Sequence, residues 1–197
     1  MTSNLTWHEA AISKEERTER NGYEGKIIWF TGLSASGKST IANAFSRRLF
    51  ELKKDVYVLD GDNIRQGLNK DLGFGDEARK ENIRRIGEVA KLLIDSGQYA
   101  LTAFISPFRE DRQIVRDLVN EGEFIEVFVK CSIEACEARD PKGLYKKARN
   151  NEIPHFTGIS SPYEEPIEAE IVLDSENYSV EQCVERLLKD LNIKSEK

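Results

Sequence analysis

Long apolar runs are missing from this 197-residue chain: none exceeds five residues, where a membrane-spanning helix needs ~20 and a secretory h-region ~7–15. The opening Met1-Thr2-Ser3-Asn4 has no basic n-region either, so a cytoplasmic protein without a membrane partner is expected. Cysteine is scarce and odd in number. Cys131, Cys136 and Cys183 form no spaced framework, which excludes a disulfide scaffold and suits reduced thiols. Cys131-x4-Cys136 lacks a second Cys/His pair to complete a zinc site, and reads as two small buried hydrophobes. Excess positive charge is absent too: 29 Lys and Arg against 35 Asp and Glu give −6, which argues against general nucleic-acid binding. The remainder, 39% hydrophobic and 32% charged, without internal repeats or low-complexity blocks, is the composition of one globular domain.

Residues 1–24 are polar and charged, with an amphipathic hint at Trp7, Ala10 and Ala11. They are expected to form an N-terminal extension with one short helix, leaving 25–197 as the main domain. From Lys26 the pattern changes. Short apolar runs predict strands at 27–31, 56–59, 99–105, 125–129 and 170–173. Helical spacing predicts helices at 40–51, 78–96, 109–120, 133–139 and 179–191. The clearest is 78–96, where Ile83, Ile86, Ala90, Leu93 and Ile94 share one stripe and Gly97 is the stop signal. This alternation predicts an α/β fold with a five-stranded parallel sheet covered on both faces. Ligands then bind beyond the carboxyl ends of the strands, at the segments starting with Gly32, Asp60, Ser106 and Cys131.

The first of these segments carries the strongest signal. Gly32-Leu33-Ser34-Ala35-Ser36-Gly37-Lys38-Ser39 fits G-x-x-x-x-G-K-[ST] at every fixed position, between a strand and a helix. Chance supplies this in fewer than ~1 in 100 such chains. Backbone N–H groups of the loop and the positive end of the following helix together bind phosphate. Lys38 is expected to neutralise the β/γ oxygens, and the Ser39 hydroxyl to hold Mg²⁺. The plain alternative is a Gly/Ser turn followed by a surface lysine.

A phosphate loop alone does not separate a GTPase, a motor ATPase and a small-molecule kinase. Asn69-Lys70-Asp71-Leu72 approaches the guanine motif N-K-x-D, but its Asp sits one place too early. No strand ends in Asp-Glu, as a motor would need. Instead Asp60-Gly61-Asp62-Asn63 follows the second strand and offers two carboxylates for an acceptor hydroxyl and a metal, although the same residues also make a good turn. Arg65, Arg79, Arg84, Arg85, Arg109, Arg112, Lys142, Lys146, Lys147 and Arg149 crowd the strand ends of an acidic chain, which suggests a second, polyanionic substrate. Exposed helix faces account for some of them, and Arg85 can simply pair with acids. Arg79 and Asn82 are better placed, three apart at a helix start.

These segments form an ordered set. Gly32 to Thr40, Leu59 to Arg65, Asp71-Leu72-Gly73-Phe74, Glu81 to Arg85, Ile105 to Arg109, Lys142 to Tyr145 and Phe156 to Ile159 resemble the adenylylsulfate kinase (APS kinase) family over nearly the whole chain. The chain departs from the family pattern at Ala35, where Gly is frequent, and at Gly75-Asp76-Glu77-Ala78, where a Ser-containing, Asp-Arg stretch is usual. The resemblance implies transfer of the ATP γ-phosphoryl to the 3′-hydroxyl of adenosine 5′-phosphosulfate, yielding 3′-phosphoadenylyl sulfate and ADP in sulfate assimilation. It also implies Mg²⁺, a homodimer and a mobile lid. Carried over by position, Gly32, Leu33, Ser34, Ala35, Ser36, Gly37, Lys38, Ser39 and Thr40 would bind ATP. Phe74 and Phe156 would sandwich the substrate adenine, while Arg65, Arg79 and Asn82 would hold its phosphosulfate. Ile105 backbone groups and Lys142 would contact the same nucleotide, and Ser106 matches an active-site serine described as a phosphoserine intermediate.

For the chemistry, Asp62 is expected to accept the 3′-hydroxyl proton and to assist Mg²⁺ placement alongside Ser39. Double displacement through Ser106 is the runner-up, disfavoured because Pro107 and Phe108 follow and no activating base stands beside it in sequence. The basic, Gly- and Pro-containing stretch 140–162 is expected to be a lid that excludes water. Two rivals stand beside this reading: a kinase of another small hydroxyl compound, and a non-catalytic ATP-binding subunit of a sulfate-activating complex. Intact Lys38, Ser39 and Asp62 argue against the second.

Overall fold

The five apolar runs become the strands of one parallel sheet, which leaves only Tyr57 and Val172, on its two edge strands, largely exposed among their apolar residues. The computed structural model describes residues 6, 8 and 10–194. Trp7 and the first four residues lie outside that range, while Ala10 and Ala11 are exposed. The chain runs α1 (Lys14–Asn21), β1 (Ile27–Thr31), α2 (Lys38–Glu51), β2 (Val56–Asp60), α3 (Gly61–Gln66), α4 (Asp76–Asp95), β3 (Tyr99–Ala103), α5 (Arg109–Arg116), β4 (Phe124–Lys130), α6 (Ile133–Arg139), α7 (Leu144–Arg149), β5 (Ile171–Asp174) and α8 (Val180–Asp190). Strand order is β2-β3-β1-β4-β5, which puts β1 at the centre and its following loop between two neighbours.

Side chains alternate along β1 into two separate cores. Ile28 and Phe30 join Ile41, Phe45 and Leu49 of α2 and Leu187 of α8. Ile27 and Trp29 join Ile83, Ile86, Ala90 and Ile94 of α4 and Val115 of α5. Phe45 is fully buried, so cutting it to Ala costs about 3–5 kcal/mol. The expected stripe of the long helix is thus its buried face, apart from half-buried Leu93. Gly97 ends it with φ 90, a left-handed conformation that Gly adopts without strain.

α1 begins with a Ser13/Glu16 capping box and rests on the body through a Lys14–Glu123 ion pair and an Asn21 Nδ2 bond to Gly97 O (3.3 Å). β3 stops at Ala103 instead of reaching 105, because the chain turns sharply at Ser106, φ 40. α5 ends at Arg116 rather than 120, in tight turns that include Leu118 N–H to Val115 O. Two helices, α3 and α7, were not expected. Each has six residues, too few to show a period, and the first-turn N–H groups of each bond to a preceding aspartate. Asp60 accepts from Asp62 N, and Asp140 accepts from Leu144 N and Tyr145 N at 2.8 and 2.9 Å. The 140–162 stretch is therefore not structureless. It carries α7 and packs Tyr145 and Phe156 with Leu33 and Cys136 in a third buried cluster. Among the described residues no helix is long and apolar enough to cross a membrane.

Candidate active site

The loop after β1 is held open by its own backbone. Gly32 has φ 150, and a Cβ there would sit 2.6 Å from Val129 O and 2.9 Å from Ser36 Oγ, so glycine is required. Gly37, φ 98, caps α2 without a side-chain bond, and no acid follows in the first turn. The helix N-terminus therefore keeps its free N–H groups for an anion. Ala35 takes φ 59, a strained value for a residue with a Cβ, at the position where the family often has Gly. Two neighbours brace the loop from outside: Tyr145 OH donates to Ser34 O at 3.0 Å, and Ser175 Oγ to Ser36 O at 2.7 Å. Lys38 is buried and donates to Gly32 O (3.0 Å) and Leu33 O (2.6 Å). Burial pushes its ammonium down to about 8.

At the end of β2 the two carboxylates of Asp60-Gly61-Asp62 diverge. Asp60 accepts from Ser39 Oγ at 2.6 Å with one oxygen and from Asp62 N at 3.0 Å with the other. Asp62 instead pairs with Lys142 from the 140–162 segment. Of the residues expected to serve the metal, Ser39 is thus brought to Asp60 and not to Asp62. Asp60 is the extended N-cap of α3 and turns back toward α2, whereas Asp62 lies inside the first turn of the helix.

Half of the ten clustered basic side chains are committed to acids, Lys142 among them. Arg84 pairs with Glu81, Arg85 with Glu81 and Asp71, Arg112 with Glu126 and Arg149 with Glu137. Arg65 and Arg79 differ. Arg65 donates to Leu72 O and Gly73 O and lies 4.5 Å over the Phe74 ring, while Arg79 donates to His155 O (2.5 Å) and Ser161 Oγ (3.5 Å). Neither has a carboxylate partner among the described residues. Burial first, then the like charge of Arg79, lower the pKa of Arg65, so an anion between them would relieve both. Asn82 is buried on the same helix as Arg79 and accepts from Asn69 Nδ2 at 3.0 Å. The two expected adenine-stacking rings have different partners here: Phe74 is 69% exposed, whereas Phe156 is 8% exposed and meets Tyr145 edge-on at 5.0 Å.

Ser106 is 2% exposed, and its Oγ accepts from Trp29 Nε1 at 3.0 Å. Its backbone is pinned as well. Arg112, itself buried, donates to Ser106 O (2.7 Å), Glu164 O (2.9 Å) and Glu126 (2.5 Å). Ile105 O accepts from Thr31 Oγ1 at 2.8 Å. This turn is a rigid shelf between β1 and β3, and among the described residues no base stands against the serine oxygen.

The model of the family described as adenylylsulphate kinase matches residues 24–174, well over half of the chain. The chain belongs to the adenylylsulfate kinase family. An adenylyl-sulfate kinase of Bacillus velezensis is 65% identical over 184 residues, 93% of each chain. A probable adenylyl-sulfate kinase of Bacillus subtilis is 64% identical over 185 residues, 94% of each. Among solved structures, the Mycobacterium tuberculosis APS kinase CysC in complex with AMPPNP and APS superposes with a TM-score of 0.83 at 46% identity, covering 86% of this chain and 98% of that one.

In this adenylylsulfate kinase, several residues that shape the site escaped the sequence reading. Asp60 was grouped with Asp62 without being told apart from it. Trp29 and Thr31 read only as strand, Arg112 only as one of the clustered basic residues and Tyr145 only as part of the Lys142 to Tyr145 motif, and Ser175 gave no signal, because each acts on the site through a partner distant in the chain. Beside the kinase's loop a cavity of about 540 Å³ opens between Leu33, Cys131, Ile133, Gly158, Ile159 and Tyr163, on the side of β4 rather than toward Phe74.

Proposed function

We propose that the chain performs its family's reaction, ATP plus adenosine 5′-phosphosulfate giving ADP plus 3′-phosphoadenylyl sulfate, by direct in-line transfer with Asp62 accepting the 3′-hydroxyl proton. The observation that carries this reading is the Asp60 carboxylate. By accepting from Ser39 and from the Asp62 N–H, it ties the first turn of α3, which carries Asp62, to the start of α2. Residues Gly32 to Thr40 hold the ATP phosphates, with Lys38 released from its two carbonyls to meet the β/γ oxygens. Arg65, Arg79 and Asn82 take the phosphosulfate, and Lys142 and the Ile105 backbone flank the nucleotide. Stacking of the adenine between Phe74 and Phe156 requires Phe156 to leave Tyr145, a shift of the 140–162 segment that fits a lid. Ser106, buried and bonded to Trp29, serves as a fixed polar contact rather than a nucleophile.

The donor set suits Mg²⁺. A hydroxyl and a carboxylate, Ser39 and Asp60, are hard oxygen ligands, and among the described residues no group of three or more His, Cys, Asp or Glu forms an all-protein metal cage. When bound, the cation neutralises charge on the β- and γ-phosphates. The family resemblance further supports a homodimer and a cytoplasmic setting; sedimentation velocity decides the first.

An ADP-release assay comparing adenylylsulfate with AMP, gluconate and shikimate tests the substrate assignment. Turnover with adenylylsulfate alone is expected, and preferential turnover of any other alcohol overturns it. Asp62→Asn is expected to lower kcat far more than ATP affinity, and unchanged kcat removes Asp62 as the base.

A further inference from the structure

Between positions 60 and 80 the chain passes through α3, a loop and the first turn of α4, and in that whole stretch Asn69 alone is buried. Apolar burial would have selected its neighbour Leu68, which is 48% exposed. Nor does the Asn69 side chain brace its own loop. Its Nδ2 donates to Asn82 Oδ1 on α4, and its Oδ1 is buried without a partner among the described residues. An orphaned buried acceptor is a standing cost to the fold, so the amide is kept for what its donor does.

We propose that Asn69 is a positioning residue that fixes which end of the Asn82 amide faces the substrate. An asparagine side chain carries an acceptor oxygen and a donor nitrogen on one rotatable group. Phosphosulfate offers acceptors only, so an Asn82 that holds it must donate from Nδ2. The Asn69 N–H ties down Asn82 Oδ1 and leaves Nδ2 pointing the other way. Without that bond the amide is free to turn over and present its oxygen to an anion, which repels it. The loop itself is anchored independently, by Asn69 N–H to Ile64 O, by Arg65 to Leu72 O and Gly73 O, and by Arg85 to Asp71. The Asn69 side chain is therefore separable from the loop's path. This inference rests on the reading of Asn82 as a ligand of the adenylylsulfate anion.

The test is steady-state kinetics of the full chain carrying Asn69→Leu, Asn69→Asp, Asn82→Ala, or Asn69→Leu with Asn82→Ala, reading the KM for adenylylsulfate and for ATP separately. Asn69→Leu keeps the approximate shape and removes the donor. Asn69→Asp keeps the shape and reverses the polarity, so that it accepts from Asn82 Nδ2 and turns the Asn82 oxygen outward. The KM for adenylylsulfate is expected to rise about 10-fold in Asn69→Leu and further in Asn69→Asp, from the loss of one hydrogen bond to an anion. The KM for ATP stays within about twofold, since uniform loss of folded enzyme moves neither KM. In the Asn82→Ala background, Asn69→Leu adds nothing more. Additive effects in the double variant, or an equal rise in the ATP KM, overturn the proposal and leave Asn69 as packing. An unchanged adenylylsulfate KM in the Asn69 variants, with a raised one in Asn82→Ala, overturns it while sparing the ligand role of Asn82. An Asn82→Ala variant with an unchanged KM removes the ligand role itself. Should Asn69→Leu fail to fold, the isosteric Asn69→Asp carries the comparison.

Discussion

Lys38 offers a direct probe of the phosphate cradle. Its ammonium is buried against Gly32 O and Leu33 O, and burial lowers its pKa from 10.5 to about 8. A triphosphate favours the charged form, so ATP binding raises the pKa and draws a proton from solvent. With the bound lysine fully charged, uptake is about 0.1 proton per ATP at pH 7 and about 0.9 at pH 9. ATP affinity accordingly weakens about tenfold per pH unit above 8, or roughly 1.4 kcal/mol. The sign for stability follows from the same shift. The native lysine titrates below its unfolded value, so the unfolded chain binds more protons between pH 8 and 10.5, and ATP-free stability rises with pH across that window. Isothermal titration in two buffers of different ionisation enthalpy, at pH 7, 8 and 9, reads the uptake; Lys38→Met is the control. Uptake near zero at pH 9, or uptake that persists in Lys38→Met, refutes the reasoning.

Three further outcomes follow from the geometry. Ser106→Ala is expected to keep near-normal turnover while losing about 1–3 kcal/mol of stability, because the buried Trp29 N–H loses its acceptor; a fall of ~10³ in kcat revives the covalent route. Asp60→Asn still caps α3, so the fold should hold, but the Mg²⁺ concentration for half-maximal rate should rise about tenfold; an unmoved Mg²⁺ curve detaches Asp60 from the metal. Gly32→Ala puts a Cβ against Val129 O at 2.6 Å, backbone that cannot step aside, and ATP binding by calorimetry should weaken at least about tenfold, whereas full affinity would show that the loop can widen.

The basic residues show how local and tertiary information divide. From sequence, Arg65, Arg79, Arg84, Arg85, Arg109, Arg112, Lys142, Lys146, Lys147 and Arg149 form one population of candidate anion binders. The fold sorts them by partner: Arg84, Arg85, Arg112, Lys142 and Arg149 are paired with carboxylates, whereas Arg65 donates to backbone carbonyls beside Phe74, and Arg79 to His155 O and Ser161 Oγ. A guanidinium beside an acid gains its charge compensation within the protein, and one without keeps its charge for an anionic ligand.

Strand positions, the stripe of α4 and the phosphate loop were legible in the sequence by itself, because each depends on neighbours within a few residues: alternation, a 3.6-residue period, glycines at positive φ. The tertiary structure alone decided that Asp60 rather than Asp62 meets Ser39, that Trp29 occupies the Ser106 oxygen, that Tyr145 and Ser175 clamp the loop, and that Asn69 reaches Asn82. Those contacts join residues from 13 to 139 positions apart. A side chain's direction at such a distance is set by packing of whole elements, which no local pattern encodes.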